Sequence, residues 1–133
     1  MTPAFYKRIV QFGAIYDLLA TAGLAVPTLL PYVLFLIKYL DTIFGFKTVF
    51  LPLDQTALLL INIGGCAYVV WALARLWAPS HNFGKLDALL RFMIVLCQIF
   101  AVTHGATPIL LGLAAVLAAI GVLELWSVSE VRS

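Results

Sequence analysis

Residues 9–26, IVQFGAIYDLLATAGLAV, decide how this chain is read. The run is apolar and near the ~20 residues that a helix needs to cross a bilayer. One carboxylate, Asp17, interrupts it. A charge is costly in hydrocarbon, so Asp17 must face protein, water or a partner rather than lipid. This residue is the best single pointer to a site.

The rest of the chain repeats the pattern. It has 133 residues, 64% of them hydrophobic and 11% charged. A soluble domain carries about 25% charged residues. The composition therefore points to an integral membrane protein of one domain, residues 1–133. The formal net charge of +2 is too small to suggest a nucleic-acid partner. Cys66 and Cys97 lie in apolar runs without a CxxC pairing, so they read as small buried side chains and not as a metal or redox site. Lys7 and Arg8 ahead of an apolar run resemble the start of a signal peptide. Asp17 and the later runs make an uncleaved first helix the simpler reading.

Three further runs match a bilayer in length: residues 56–77 (TALLLINIGGCAYVVWALARLW), 86–103 (LDALLRFMIVLCQIFAVT) and 108–127 (PILLGLAAVLAAIGVLELWS). With a first span at 7–26 they predict four crossings. Residues 27–55 lie between the first two. Pro27, Pro31 and Pro52 punctuate this stretch, and Lys38, Asp41 and Lys47 break its apolar middle. Residues 30–44 read as an amphipathic segment at the interface, with Tyr32 and Tyr39 at headgroup depth. The other reading is one long first helix kinked by the prolines. Ser80 or Asn82 is the expected cap of the third span. HGAT, residues 104–107, forms a tight turn before the fourth. The expected fold is an all-α, integral membrane, four-helix antiparallel bundle. Its small residues, such as Gly13, Gly64, Gly65, Gly112 and Ala115, permit close packing.

Basic residues set the expected orientation. Lys7, Arg8, Arg75, Lys85, Arg91 and Arg132 fall on one side of a four-span layout, and Lys38 and Lys47 on the other. That bias places both termini in the cytoplasm, with Trp77 and Trp126 at the same interface.

Several polar side chains fall at membrane depth. Asp87, Arg91 and Gln98 share one face of the third span. Arg91 and Glu124 lie at similar depth, and Arg91 is long enough to reach Asp17. Asn62 and Gln98 sit toward the outer half, with His104 at the outer mouth. A track of Glu124, Arg91, Asp17, Asn62, Gln98 and His104 is expected to hold a ligand or a proton. The plainer reading makes Asp17 and Arg91 a static lock, Asn62 and Gln98 interhelical hydrogen-bond partners, and His104 a solvated loop residue. No GxSxG, HExxH, Walker loop or paired-carboxylate spacing is found, so no catalytic residue and no metal ligand is assigned.

The stretches GAIYDLLATAGLAVP (13–27), INIGGCAYVVWALARL (61–76) and LLRFMIVLCQIFAVTHGATPILLGLAAVLAAIGVLELW (89–126) resemble the DoxX-like group of small bacterial membrane proteins. That resemblance is architectural and implies a bacterial inner-membrane location and a quinone-like or other hydrophobic ligand. The expected function is a non-enzymatic accessory subunit or hydrophobic-ligand binding protein. Its partners would be the bilayer, other membrane subunits or further copies of the chain. Two alternatives remain open: an oligomeric proton-coupled transporter with Asp17 as the titrating group, and a component of a quinone-linked oxidoreductase.

Overall fold

A computed structural model describes residues 1–126; Ser127 at the end of the fourth expected span, and Arg132, lie outside the described residues. Five helices follow in order: α1 Pro3–Ala25, α2 Leu30–Ile43, α3 Gln55–Trp77, α4 His81–Thr103 and α5 Ile109–Leu125.

Local chemistry accounts for most boundaries. Thr2, Asp54 and Ser80 cap α1, α3 and α4, each side-chain oxygen accepting a hydrogen bond from a backbone N–H three residues on. The cap of α4 is thus Ser80, and Asn82 lies inside the helix. α1 stops where Pro27 disfavours helical geometry at the residue before it; Val26 is extended, with φ −104° and ψ 114°. α2 and α4 both end in a glycine with positive φ, Gly45 at 74° and Gly105 at 99°. In each case the glycine N–H and the next N–H fold back onto carbonyls of the last turn: Gly45 to Thr42 and Phe46 to Asp41, Gly105 to Val102 and Ala106 to Ala101. This is the Schellman closure that glycine permits without strain.

The expected four-helix bundle is corrected on two counts. Residues 30–43, expected as an amphipathic segment and not counted in the bundle, form a helix of their own, so the described helices number five and not four. Among the described residues only α3 and α4 are by themselves long and apolar enough to cross a membrane. α1 and α2 qualify only together, as a pair bent by 112°. At 17 residues α5 falls short of the usual ~20. The alternative of one long kinked first helix fails as well, because residues 26–29 break the helix and turn the chain aside.

Two helix pairs carry the packing: α1 lies along α3, and α4 along α5. The buried face of α1 is Tyr6, Ile9, Val10, Gly13, Ala14 and Asp17. Those positions recur every three or four residues, one stripe of a helix. α3 buries Gly65, Ala72 and Arg75; α4 buries Gly84, Asp87, Ala88 and Arg91. The end of α1 meets α3 well inside that helix. The Asn62 side-chain amide donates to the Leu24 carbonyl at 2.7 Å. An orphan carbonyl of the terminated helix thereby finds a donor. α3 runs on past this level by about 10 Å at the usual helical rise.

The outward faces are apolar. Only 11% of the most apolar window of α3 and 17% of that of α4 is buried inside the protein. Leu60, Ile63 and Val70 of α3 and Leu89, Met93 and Leu96 of α4 are all exposed. Apolar faces of this extent mark a surface covered by lipid or by another protein.

The closest approach of the α1–α3 pair yields a paired test. A Cβ at Gly65 would lie 2.5 Å from the Ala25 nitrogen and 2.6 Å from the Leu24 carbonyl carbon, both backbone atoms that cannot rotate away. One at Gly64 would meet open space. Gly65→Ala is expected to destabilise the fold by about 1–3 kcal/mol. Gly64→Ala is expected to be neutral or stabilising by up to ~1 kcal/mol. Unfolding of both variants in mild detergent checks this; equal effects would contradict the packing described.

Candidate functional site: a buried charge cluster

Five ionisable side chains from four helices meet in the interior. α1 gives Asp17, α3 gives Arg75, α4 gives Asp87 and Arg91, and α5 gives Glu124. Their exposures are 5%, 0%, 1%, 2% and 0% in that order, so the group is effectively dry. Each sits on the buried stripe of its helix, one turn or so beyond small residues such as Gly13, Ala72, Ala88 and Gly121. Small side chains bring the backbones close, and the long arginines fill the space that remains.

The guanidiniums bridge the two helix pairs. Arg91 donates from Nη1 to Asp17 Oδ1 at 3.0 Å and from Nη2 to Asp17 Oδ2 at 2.7 Å, a two-pronged contact. Its Nε donates to Asp87 Oδ2 at 2.9 Å and to Glu124 Oε2 at 3.2 Å. Arg75 donates to Asp17 Oδ2 and to Asp87 Oδ2. The indole N–H of Trp71 completes Asp87 through Oδ1 at 2.7 Å. The Arg75 guanidinium also lies 5.9 Å from the centre of the Trp71 ring, within cation–π range. Tyr6 borders the cluster, donating its hydroxyl to the Glu124 carbonyl at 2.6 Å. Gly84 makes room for that ring, since a Cβ there would collide with the Tyr6 hydroxyl.

Three carboxylates face two guanidiniums. Glu124 is the least engaged: its Oε1 has no hydrogen-bond partner, although it is buried. Gly13 stands opposite, where a Cβ would come within 2.7 Å of that oxygen and 2.9 Å of Arg91 Nη2. Arg75 Nε is likewise buried without a partner.

The expected track is therefore brought together in part. Asp17, Arg91 and Glu124 do meet. Asn62 does not join them; it is spent on the end of α1. Gln98 stands apart on α4 with its side-chain oxygen buried and unpartnered. His104 is exposed, stacked on Phe100 at 4.1 Å between ring centres with Nδ1 2.8 Å from the Phe100 carbonyl. Cys66 and Cys97 are free and exposed, a correction to their reading as buried side chains. Sequence reasoning missed Arg75, counting it as a charge at the membrane edge. Its signal was its register: Arg75 falls on the same stripe as Gly65 and Ala72, the small residues that mark the face toward α1. Among the described residues no three His, Cys, Asp or Glu side chains are placed to hold a metal ion.

A second polar knot lies at the far end. Asp41 is buried at the close of α2 and accepts from Thr48 Oγ1 at 2.6 Å and Thr48 N at 3.2 Å. Thr107, at the head of α5, is buried as well. Beside Asp41 lies an open cleft of about 460 Å³ lined by Lys38, Lys47, Phe46 and Phe50 among others.

No match to this chain is found among protein-family models, curated proteins or solved structures.

Unequal engagement of the cluster members predicts unequal costs. Arg91→Met strips a donor from three buried carboxylates and is expected to destabilise the fold by about 3–5 kcal/mol, the usual result of breaking a buried ion pair from one side. Glu124→Gln keeps the shape and removes the surplus negative charge, and is expected to cost no more than ~1 kcal/mol. Chemical unfolding of both variants in detergent checks the order; a Glu124 variant as damaged as the Arg91 variant would overturn it.

Proposed function

We propose that this chain is a small membrane-embedded protein that works as an accessory component, held by lipid and by a second membrane protein or a hydrophobic small molecule of quinone-like character. One observation carries the reading. The interior charges are spent on one another, while the long faces of α3 and α4 stay apolar and uncovered. Closed polar interiors suit a rigid scaffold, and broad apolar exteriors suit partners that are themselves apolar. The resemblance to the DoxX-like group accords with this reading.

The carrier alternative asks Asp17 to gain and lose a proton. Asp17 accepts from both Arg75 and Arg91, which favours the lock over a group that exchanges. In our reading α3 and α4 make the crossings, in a bacterial inner membrane. The basic side chains give orientation less support than their number suggests. Arg75 and Arg91 are buried in the cluster and Arg132 is not described, so Lys7, Arg8 and Lys85 face Lys38 and Lys47. We place the end that carries Lys7, Arg8 and Lys85 in the cytoplasm. Trp77, 92% exposed, and Trp126 close helices at that same end and suit an interfacial position.

Two measurements test the proposal. After an alkaline carbonate wash the chain is expected to stay with the membrane fraction. Purified in mild detergent, it is expected to bring with it a second protein or a stoichiometric hydrophobic molecule. A chain that runs strictly alone and carries nothing would count against the accessory role.

A further inference from the structure

The geometry points to the cleft at the end of α2 as a site for the phosphate headgroup of an anionic lipid, held by Lys38 and Lys47. This rests on the membrane reading above and adds a lipid class to it.

The turn at Gly45 builds the cleft. Its positive φ reverses the chain after α2, so that residues 46–50 pass back beside the last turn and Lys47 shares a cleft with Lys38. Asp41 then fixes the returning segment through Thr48. That contact matters for charge. Asp41 is the one carboxylate lining the cleft, and both its oxygens are turned to Thr48. Among the described residues neither Lys38 nor Lys47 has an ion-pair partner. Two ammonium groups thus flank an open cleft with no anion committed to them.

The rim decides between a lipid and a free ion. Phe46 and Phe50 line the cleft beside the lysines, each 37% exposed, and their sequence neighbours Phe44 and Val49 are exposed as well. A dissolved phosphate gains nothing from these side chains. A lipid places its phosphate on the lysines and its chains against the rim. The volume of about 460 Å³ falls within the ~300–1,000 Å³ of small-molecule sites.

The test uses the full chain in bilayer nanodiscs of phosphatidylcholine with a minor share of spin-labelled phosphatidylglycerol or, in parallel, spin-labelled phosphatidylcholine. The motionally restricted fraction reports which lipid the protein holds. The wild type is expected to prefer phosphatidylglycerol. Lys38→Gln and Lys47→Gln are each expected to lower that preference by roughly 5-fold, the gain of one basic side chain beside an anionic headgroup. The Lys38→Arg, Lys47→Arg double variant is expected to keep it, which separates charge from shape. Inorganic phosphate, set against chloride at equal ionic strength, is expected not to displace the lipid.

Equal preference in the wild type and the glutamine variants would overturn the site. Displacement by inorganic phosphate would overturn the choice of a lipid. A chain that enters the bilayer and shows no selectivity refutes this inference alone. A chain that carbonate strips from the membrane refutes the membrane reading on which it rests.

Discussion

Exchange of charge between two helix pairs holds this molecule together. Arg75, from the α1–α3 pair, reaches Asp87 of the other pair, and Arg91, from the α4–α5 pair, reaches Asp17 of the first. Beside this cluster the pairs also meet through Tyr6 with His81, Val10 close to Gly84, Ile120 close to Gly13, and the ring contact of Trp71 with Phe83. α3 and α4 are neighbours in sequence but do not pack along one another. The ionic joint thus works beside a small apolar seam of Val10, Ala14, Ala88 and Ile120. Its hydrogen bonds are directional, so it fixes register as well as proximity. Glycines set the spacing: Gly13 leaves room for Glu124 and Arg91, and Gly65 lets α3 rest against the end of α1.

The opposite end is held by different chemistry. There a single carboxylate, Asp41, ties the close of α2 to the segment after it through Thr48. The two ends are thus held differently, by guanidiniums at one and by a carboxyl and a threonine at the other. Between them lie long apolar stretches of α3 and α4 that the protein itself leaves bare.

Much of this architecture was legible in the sequence. The runs at 56–77 and 108–127 fall within two residues of α3 and α5, because apolar length and flanking turn residues mark such helices plainly. Asp17 was singled out correctly as a buried charge with Arg91 as its companion. The helix count was too low for a physical reason. Lys38 and Asp41 break the apolar run of 30–43, which kept the segment from being counted as a span and so from being counted as a fifth helix. Arg75 was missed because a charge two residues from a helix end looks solvated from sequence alone. Its long side chain instead points back into the interior, where α1 and α4 supply carboxylates. Such pairings between distant helices leave no trace in local periodicity. Asn62 was read as an interhelical hydrogen-bond partner and is one, though its acceptor, Leu24, depends on where Pro27 stops the first helix.

One consequence of the reciprocal ties concerns how the molecule is made. Arg75 touches Asp17 inside its own pair, and Arg91 touches Asp87 four residues away on its own helix. The α1–α3 half thus holds one carboxylate on one guanidinium, and the α4–α5 half holds Asp87 and Glu124 on the single guanidinium of Arg91. When the halves meet, these partners are shared across the seam. Assembly in two stages would then carry one surplus carboxylate, on the second half only, through an oily surrounding.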